Sequence, residues 1–270
     1  MRLSAILAGS PATALTGQAG PSRTTSNRRN GSETMADSSL ITVPSQGALT
    51  VLRFFEQMAK ELKEVHYEIL NELARAITER GWIQPIDAVV QRIADNSSVS
   101  ADKVTAGIAE LARRRLVDLD ETGQRFTGFL GGISFQPTPH RAHLETGVDV
   151  YTHGAMELLS VSATLLKSVD AFTRCPVTNK DIQLAIAHDQ ITSSNIDGVA
   201  GYLAEWDGAA PLGLVAASSP LLADDEALET WENKRPGARG MAFPSFLMPV
   251  AMQEAAKLGS LRFMLIGRRG

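Results

Sequence analysis

Cysteine, long apolar runs and an excess of basic charge are all missing or scarce in this sequence of 270 residues. The single cysteine, Cys175, excludes a disulfide framework and any cysteine-rich zinc or iron–sulfur site. No apolar run approaches the ~18 residues of a membrane span, which predicts a soluble chain with no membrane partner. The net charge of −4, from 26 basic and 30 acidic residues, argues against a protein that coats a polyanion.

The first 47 residues differ in composition from the rest of the chain. Residues 1–34 contain four arginines and one acid, so that 22 of the 26 basic residues and 29 of the 30 acidic ones follow them. Few large apolar residues occur here, which predicts a disordered head over residues 1–47. Two origins stay open: a start codon assigned too early, with Met35 as the natural beginning, or a targeting peptide. We expect a cytoplasmic protein, with mitochondrial targeting by residues 1–34 as the alternative.

Helical periodicity dominates the next 80 residues. Between Gly47 and Arg80 apolar positions recur at alternating steps of three and four, which predicts one bent helix or two helices. Further helices are predicted over 85–95 and 101–115, the second capped by Ser100. A small hairpin over 116–130 follows. Three helices and a hairpin predict a winged-helix domain over residues 48–127.

A winged helix raises the alternative of a DNA partner. The helix that would enter the major groove is 101–115, which carries Lys103 and the run Arg113-Arg114-Arg115. Cations at the end of a helix also suit its dipole, and the chain lacks the basic excess of a DNA-binding protein. We therefore expect this domain to act as a scaffold.

The second half of the chain mixes strands and helices and predicts an α+β fold with a separate domain over 128–270. A buried helix is predicted over Tyr151–Leu166, two short strands around Cys175, a strand at Gly213–Ala217 and a last helix over Leu247–Leu258. Trp231 is predicted to begin a polar loop, and Asp224-Asp-Glu to open a helix. The end of the chain from Leu261 is left open as strand or helix.

Three stretches in this half carry a resemblance to a known family. They are Tyr151-Thr-His-Gly-Ala-Met-Glu-Leu-Leu, Arg174-Cys-Pro-Val-Thr-Asn-Lys-Asp-Ile-Gln-Leu and Trp231-Glu-Asn-Lys-Arg-Pro-Gly. Their order and spacing resemble the core of the alkylmercury lyases over roughly residues 48–260, including an N-terminal winged helix. The resemblance implies protonolysis of a carbon–mercury bond, in which two thiolates capture the soft metal and a carboxyl group relays a proton.

The chain departs from this family at the positions that matter for the chemistry. Gly154 stands where the resemblance places the first catalytic cysteine, and the second would fall near Gly213–Ala217, where there is none. Glu157 matches the position of the family's aspartate and is the candidate acid. Cys175 matches an additional family cysteine, which implies a structural role and leaves it only a weak candidate as a metal ligand. The two-thiolate reaction therefore lacks its sulfur ligands in a single chain.

His153 is a second, weaker catalytic candidate. On the predicted helix it would stand four residues before Glu157 and share its face, where a carboxylate could orient the imidazole. With Cys175 these side chains could form a mixed metal site, although a lone histidine beside a buried helix is more often a core residue. His140 and His143 fall in a proline-containing loop that is poorly suited to a metal. No nucleotide-binding fingerprint is present and no cofactor is predicted.

These observations predict a divergent member of the alkylmercury lyase family with a small-molecule ligand or substrate that the sequence does not identify. The alternative is a transcriptional regulator that uses the winged helix for DNA and the C-terminal pocket for a ligand. The oligomeric state is left open.

Overall fold

A computed structural model describes residues 46–83, 85–187 and 189–267, with side chains from residue 49 onward. The described residues belong to one compact unit. The predicted head lies almost wholly outside them, so its disorder and the origin of residues 1–34 stay predictions.

Eight α-helices lie in the described residues. Four precede the first strand: α1 Gln46–Glu61, α2 Glu64–Arg80, α3 Ile86–Asn96 and α4 Ala101–Arg113. The other four are interleaved with strands or follow them: α5 Leu158–Leu165, α6 Leu212–Ala216, α7 Asp225–Asn233 and α8 Met248–Gly267. No helix within the described ranges combines the length and apolar character needed to cross a bilayer.

The strands form two antiparallel sheets. The larger has the order β1-β2-β3-β5-β4-β6-β7-β8, with β1 Val117–Leu119, β2 Phe126–Phe129, β3 Ile133–Ser134, β4 Arg141–Leu144, β5 Asp149–Thr152, β6 Val169–Arg174, β7 Asp181–Ala187 and β8 Gln190–Ser194. The smaller has the order β10-β9-β11, with β9 Ala200–Ala204, β10 Leu221–Leu222 and β11 Gly240–Phe243. The larger sheet runs without interruption across residues 127 and 128, the boundary proposed between two domains, and that division stays a prediction.

Local sequence explains the N-terminal helices well. The long periodic segment divides into α1 and α2 at Leu62–Lys63, without a proline, and the backbone N–H of Lys63 donates to Nδ1 of His66 at the start of α2. Gly81, with φ of +73°, ends α2 in the left-handed conformation that glycine adopts without strain. The predicted inner face of α4 is buried, with Val104 and Leu111 fully enclosed. These helices lie within two residues of their predicted ends.

The helix predicted over Tyr151–Leu166 is wrong in its first half. Tyr151 and Thr152 belong to β5, where they pair with β4 and β3, and the helix α5 begins only at Leu158. The apolar run gives no indication of this pairing, because the partner strands lie elsewhere in the chain. His153 and Glu157 therefore do not share a helical face.

Other predicted elements in the second half also change. Residues Gly213–Ala217 were predicted as a strand, but Pro211 precedes a short helix, α6, in their place. Trp231 lies inside α7 rather than opening a loop, and Asp224 caps that helix as predicted, accepting from the backbone N–H of Ala227 at 2.8 Å. The last helix continues beyond Leu258 to Gly267, so the open end of the chain is helical over its described residues.

Helix α8 is the element that organises the site. It packs against α1, α2 and α5 and contacts the small sheet. Its buried positions include two charged side chains, Glu254 and Arg262, among apolar neighbours.

Candidate functional site

An apolar pocket lies where α1, the start of α5, β9, α6 and α8 meet. Four of its lining residues are polar: Glu157, Ser160, Ser219 and Glu254. The remaining walls are apolar and come from all of these elements and from β11: Val51, Leu52, Met156, Leu203, Ala204, Trp206, Leu212, Val215, Ala216, Phe243, Ala251, Ala255 and Leu258. A mostly apolar concavity with a few polar groups is the usual form of a small-molecule site.

Glu157, the candidate acid, is held by a buried arginine from the far end of the chain. Nη1 of Arg262 donates to Oε2 of Glu157 at 2.5 Å and to Oγ of Ser160 at 2.9 Å. The Ser160 hydroxyl lies 3.3 Å from the same carboxylate oxygen. The Arg262 side chain is only 2% exposed and that of Glu157 14%, so the pair is a largely desolvated one. It fixes the orientation of the Glu157 carboxylate at the pocket wall.

Gly132 leaves the space in which this ion pair sits. A Cβ atom at that position would lie 2.5 Å from Oε2 of Glu157 and 2.9 Å from Nη1 of Arg262. Only a residue without a side chain lets the backbone approach the pair so closely. The packing of this ion pair is thus the reason for a glycine at position 132.

Glu254 is a second carboxyl group in the same pocket, and its surroundings are the opposite of those of Glu157. The residue is 7% exposed, and neither of its oxygens has a hydrogen-bond partner among the described residues. Burial raises the pKa of the Glu254 carboxyl above its ordinary value, with Lys257 opposing part of the shift. The pocket therefore contains one carboxylate paired with an arginine and one carboxyl group whose pKa is raised by burial.

The two positions assigned to catalytic cysteines by resemblance come together in the structure. A Cβ atom on Gly154 would overlap the backbone carbonyl of Ala216, which lies in the stretch Gly213–Ala217. Gly154 and Ala216 thus lie in contact beside the pocket that holds Glu157. Neither position carries sulfur, and the carbonyl of Ala216 fills the volume in which a side chain at position 154 would begin.

His153 lies apart from Glu157 and faces a different partner. Its Nε2 lies 3.8 Å from Oδ2 of Asp118 on β1, and Gly128 and Gly213 approach the imidazole closely. Neither of these two facing atoms has a hydrogen-bond partner among the residues described. Burial raises the pKa of Asp118, and the nearby His153 opposes the shift. His153 does not line the apolar pocket, so the predicted pairing with Glu157 is wrong.

Cys175 is fully buried at the end of β6, in the turn that leads to β7. Its sulfur accepts a hydrogen bond from the backbone N–H of Thr178 at 3.4 Å. Burial raises the pKa of the thiol, but hydrogen bonds from Thr178, Ala223 and Val177 together outweigh it and the pKa falls below its usual value. Cys175 is not among the lining residues of the pocket. It does not join His153 and Glu157 in a mixed site.

The two histidines predicted in one loop also have separate partners, and the prediction is wrong for His143, which lies in β4. His140 lies 2.7 Å from the Thr173 hydroxyl, and His143 lies 2.8 Å from the Asp149 carboxylate. Across the described ranges, no group of three or more His, Cys, Asp or Glu side chains could hold a metal ion.

Sequence reasoning missed Arg262 and Glu254. A signal for both was present in the sequence, because they are charged residues in a mostly apolar segment that forms α8. A charged residue on the buried face of a helix is expected to have a partner or a function. The helix predicted from the sequence ends before Arg262, and the separation of 105 positions between Arg262 and Glu157 conceals their pairing.

The antiparallel sheet with its helical cover and enclosed pocket defines a mixed α+β protein, as predicted in its coarse form. Residues 133–259 match the family model described as alkylmercury lyase. This region of the chain is similar to the alkylmercury lyase family, which confirms the resemblance predicted from its sequence.

Solved structures support the same fold. A crystal structure of the mercury-bound form of MerB2 is similar, with a TM-score of 0.65 and 19% sequence identity over 80% of this chain and 98% of that one. Ten chains of solved structures match in all. No curated protein matches the sequence. At 19% identity this similarity supports the fold alone.

Proposed function

We propose that this protein binds a small organic molecule in the apolar pocket between α1, α5, α6 and α8 and does not cleave carbon–mercury bonds by the two-thiolate route. The observation that carries the proposal is the contact between Gly154 and the carbonyl of Ala216. At the positions that the resemblance assigns to the two cysteines, the backbones of Gly154 and Ala216 are in contact. The carboxyl group of Glu157 lies beside them. A lyase site without its thiolates keeps a pocket and an acid.

The chemistry of mercury supports this interpretation. A soft metal is captured by thiolate sulfur, and carboxylate oxygen is a poor substitute. The only sulfur of a cysteine in the chain belongs to Cys175, which is buried outside the pocket. Protonolysis needs the carbon–mercury bond to be weakened before a proton arrives, and Glu157 supplies at most the second of these two requirements.

The retained groups are suited to holding a ligand. Glu157 is oriented by Arg262 and Ser160 and forms a fixed polar point on an apolar wall. The apolar surface of the pocket includes Trp206, Phe243 and Leu212. The hydrocarbon part of a ligand would be removed from water by packing against it. Binding, with or without a later chemical step at Glu157, is the function that these residues support best.

Turnover of phenylmercury in the presence of excess thiol tests the proposal directly. For the wild type we expect release of benzene at the rate of the thiol-only control. For Glu157→Gln we expect the same amount of bound mercury as for the wild type. Cys175→Ser is measured in parallel and shows whether any mercury that the wild type binds is held by the single thiol of the chain. Turnover clearly above the thiol control would contradict the proposal and show that added thiol or another chain supplies the sulfur.

A restoration experiment tests whether this is an emptied lyase site. Gly154→Cys combined with Ala216→Cys introduces two thiols on adjacent backbones, although α6 must shift to admit the first side chain. We expect higher mercury affinity than in either single variant. Turnover that appears in the double variant and disappears on adding Glu157→Gln would identify Glu157 as the proton donor of the ancestral reaction.

The regulator remains the second candidate, because α2, α3 and α4 followed by the β1–β2 pair have the order of a winged helix. The basic run at the end of α4 argues against it. Arg114 is held by Glu61 and Glu110 at 2.6 and 2.9 Å, and Arg115 donates to the carbonyls of Gly208 and Ala210. These arginines connect parts of the protein to one another, which favours a scaffold. Binding of random duplex DNA that weakens steeply with salt would revive the regulator.

A further inference from the structure

Glu254 is a buried acid that the proposed function does not yet use. It lies on α8 with 7% of its surface exposed, and both carboxyl oxygens are without a hydrogen-bond partner in the described part of the chain. Buried polar groups in proteins are nearly always satisfied, and an isolated buried carboxylate is costly. A side chain of this kind at the wall of a pocket points to a ligand that satisfies it.

The cations near this pocket do not compensate Glu254. Arg262 is committed to Glu157 and Ser160. Lys257, one turn along α8, is exposed and only partly offsets the effect of burial, which raises the pKa of the Glu254 carboxyl. Glu157 and Glu254 are the only charged residues among those described that line the pocket. With Glu254 ionised, the group formed by Glu157, Arg262 and Glu254 therefore has a charge of −1.

The rest of the lining indicates the other half of the ligand. Trp206 and Phe243 line the pocket together with aliphatic side chains from α6 and α8. Aromatic rings attract cations through the negative charge of their faces, and they also shelter apolar groups from water. We propose that this pocket binds an apolar organic cation, a protonated amine on a hydrocarbon body, and that the carboxylate of Glu254 neutralises its ammonium group.

Other classes of ligand fit the same residues less well. An anion would approach two glutamates, and the one arginine nearby has its Nη1 engaged by Glu157 and Ser160. A neutral molecule would fill the apolar space but would not neutralise the carboxylate of Glu254. The amine alone pairs with Glu254 and offers hydrogen-bond donors to both of its oxygens.

Binding of such a ligand has a proton signature. The amine arrives as an ammonium ion, and the carboxylic acid of Glu254 gives its proton to the buffer and becomes a carboxylate. Up to one proton is therefore released for each molecule bound, at a pH where the empty pocket holds Glu254 in its neutral form. A structural role for Glu254 would produce no such release.

Three phenyl compounds of similar size that differ in charge test the inference: benzylamine, benzyl alcohol and benzoate. Titration calorimetry is carried out on the full chain in two buffers of different ionisation enthalpy. We expect the amine to bind at least ~10-fold more tightly than the alcohol and benzoate to bind weakest, a difference of the size expected for one added charge-assisted contact. In Glu254→Gln the amine preference and the proton release should both disappear, while benzyl alcohol still binds. Glu229→Gln, the same change at an exposed position of α7, is the matched control and should behave as the wild type.

The outcomes separate this inference from the proposed function on which it rests. Equal affinity for amine and alcohol, or a preference that survives in Glu254→Gln, would overturn the cation site and leave an apolar ligand pocket in place. Failure of all three probes to bind would overturn the cation site as well. Turnover of phenylmercury above the thiol control would overturn the proposed function while leaving an amine preference measurable. The melting temperature of Glu254→Gln establishes that the variant is folded.

Discussion

Glu72 on α2 and Glu254 on α8 are buried to almost the same extent, at 9% and 7% exposure, yet their surroundings differ completely. Glu72 accepts from Arg75 at 2.5 Å and from Arg92 at 2.9 Å, with Arg80 at 3.8 Å. Glu254 has no hydrogen-bond partner within the described ranges. One region of the molecule thus surrounds its buried acid with cations, and the other leaves its acid unpaired.

The difference is the one expected between a charge that stabilises the fold and the ligand-binding charge that we propose for Glu254. The arginines around Glu72 are themselves partly exposed, so the cluster ties α2 to α3 at a modest cost in desolvation. At Glu254 the cost of burial is only partly offset by Lys257 among the described residues, as is common at sites where a ligand completes the interaction. Glu157 stands between the two cases, since its partner is a single arginine that is itself buried.

Arg262→Met should have the largest effect, because it converts Glu157 into a second unpaired acid. We expect a loss of about 3 kcal/mol in the free energy of unfolding, in the range found when one partner of a buried ion pair is removed. Denaturant unfolding at pH 7 measures it. Adding Glu157→Gln to this variant should recover part of the loss, and an undiminished loss would show that packing of the Arg262 side chain, rather than its charge, is responsible.

Glu72→Gln should have a smaller effect, although Glu72 has more partners. The three arginines that it leaves behind can all reach water, and we expect a loss of about 1–2 kcal/mol by the same measurement. A loss as large as that of Arg262→Met would break the comparison, since it would mean that exposed cations do not relieve a buried acid.

Glu254→Gln should stabilise the protein, by about 1 kcal/mol at pH 8. Because the pKa of Glu254 is raised in the folded state, the folded chain keeps a proton that the unfolded chain releases above ~pH 4, and stability falls as the pH rises from there to the folded-state pKa. The gain of the variant should therefore be absent near pH 4 and grow with pH. Thermal unfolding across this range measures it, and a gain independent of pH would show that the carboxyl group is not the cause.

Arg113→Glu should have the smallest effect and marks the exposed end of the comparison. Its side chain is 76% exposed and lies 3.8 Å from Glu110, a distance at which surface pairs contribute little. We expect a melting temperature unchanged within error and unchanged binding of benzylamine. A clear drop would mean that the end of α4 has a role beyond that of the neighbouring Arg114 and Arg115.

The N-terminal helices were predictable because their signals are local. The alternation of apolar residues in α1 and α2, the glycine after α2 and the buried face of α4 all depend on neighbours within a few residues in the chain. The stretch from Tyr151 to Leu166 was not, because half of it joins a sheet through β4 and β3. An apolar run of this length is compatible with either a strand or a helix until its partners are known.

The candidate site divides in the same way. Glu157 was found through its place in a recognisable motif, and the absence of paired cysteines follows from the count of one. The assignment of His153 to the same site failed because it assumed a helix that does not form. Arg262 and Glu254 were missed, since nothing near them in the sequence reveals which is paired and which is not.

The sequence by itself determined the family resemblance, the helical segments of the N-terminal part and the lack of a thiolate pair, because composition, periodicity and motif order are properties of the chain. Only the tertiary structure decided that Gly154 meets Ala216, that Glu157 pairs with Arg262 at a separation of 105 positions, and that Glu254 has no hydrogen-bond partner among the residues described. These are properties of the path that the chain takes through space. Each depends on which distant backbone or side chain arrives at a given point and on how much water its arrival excludes.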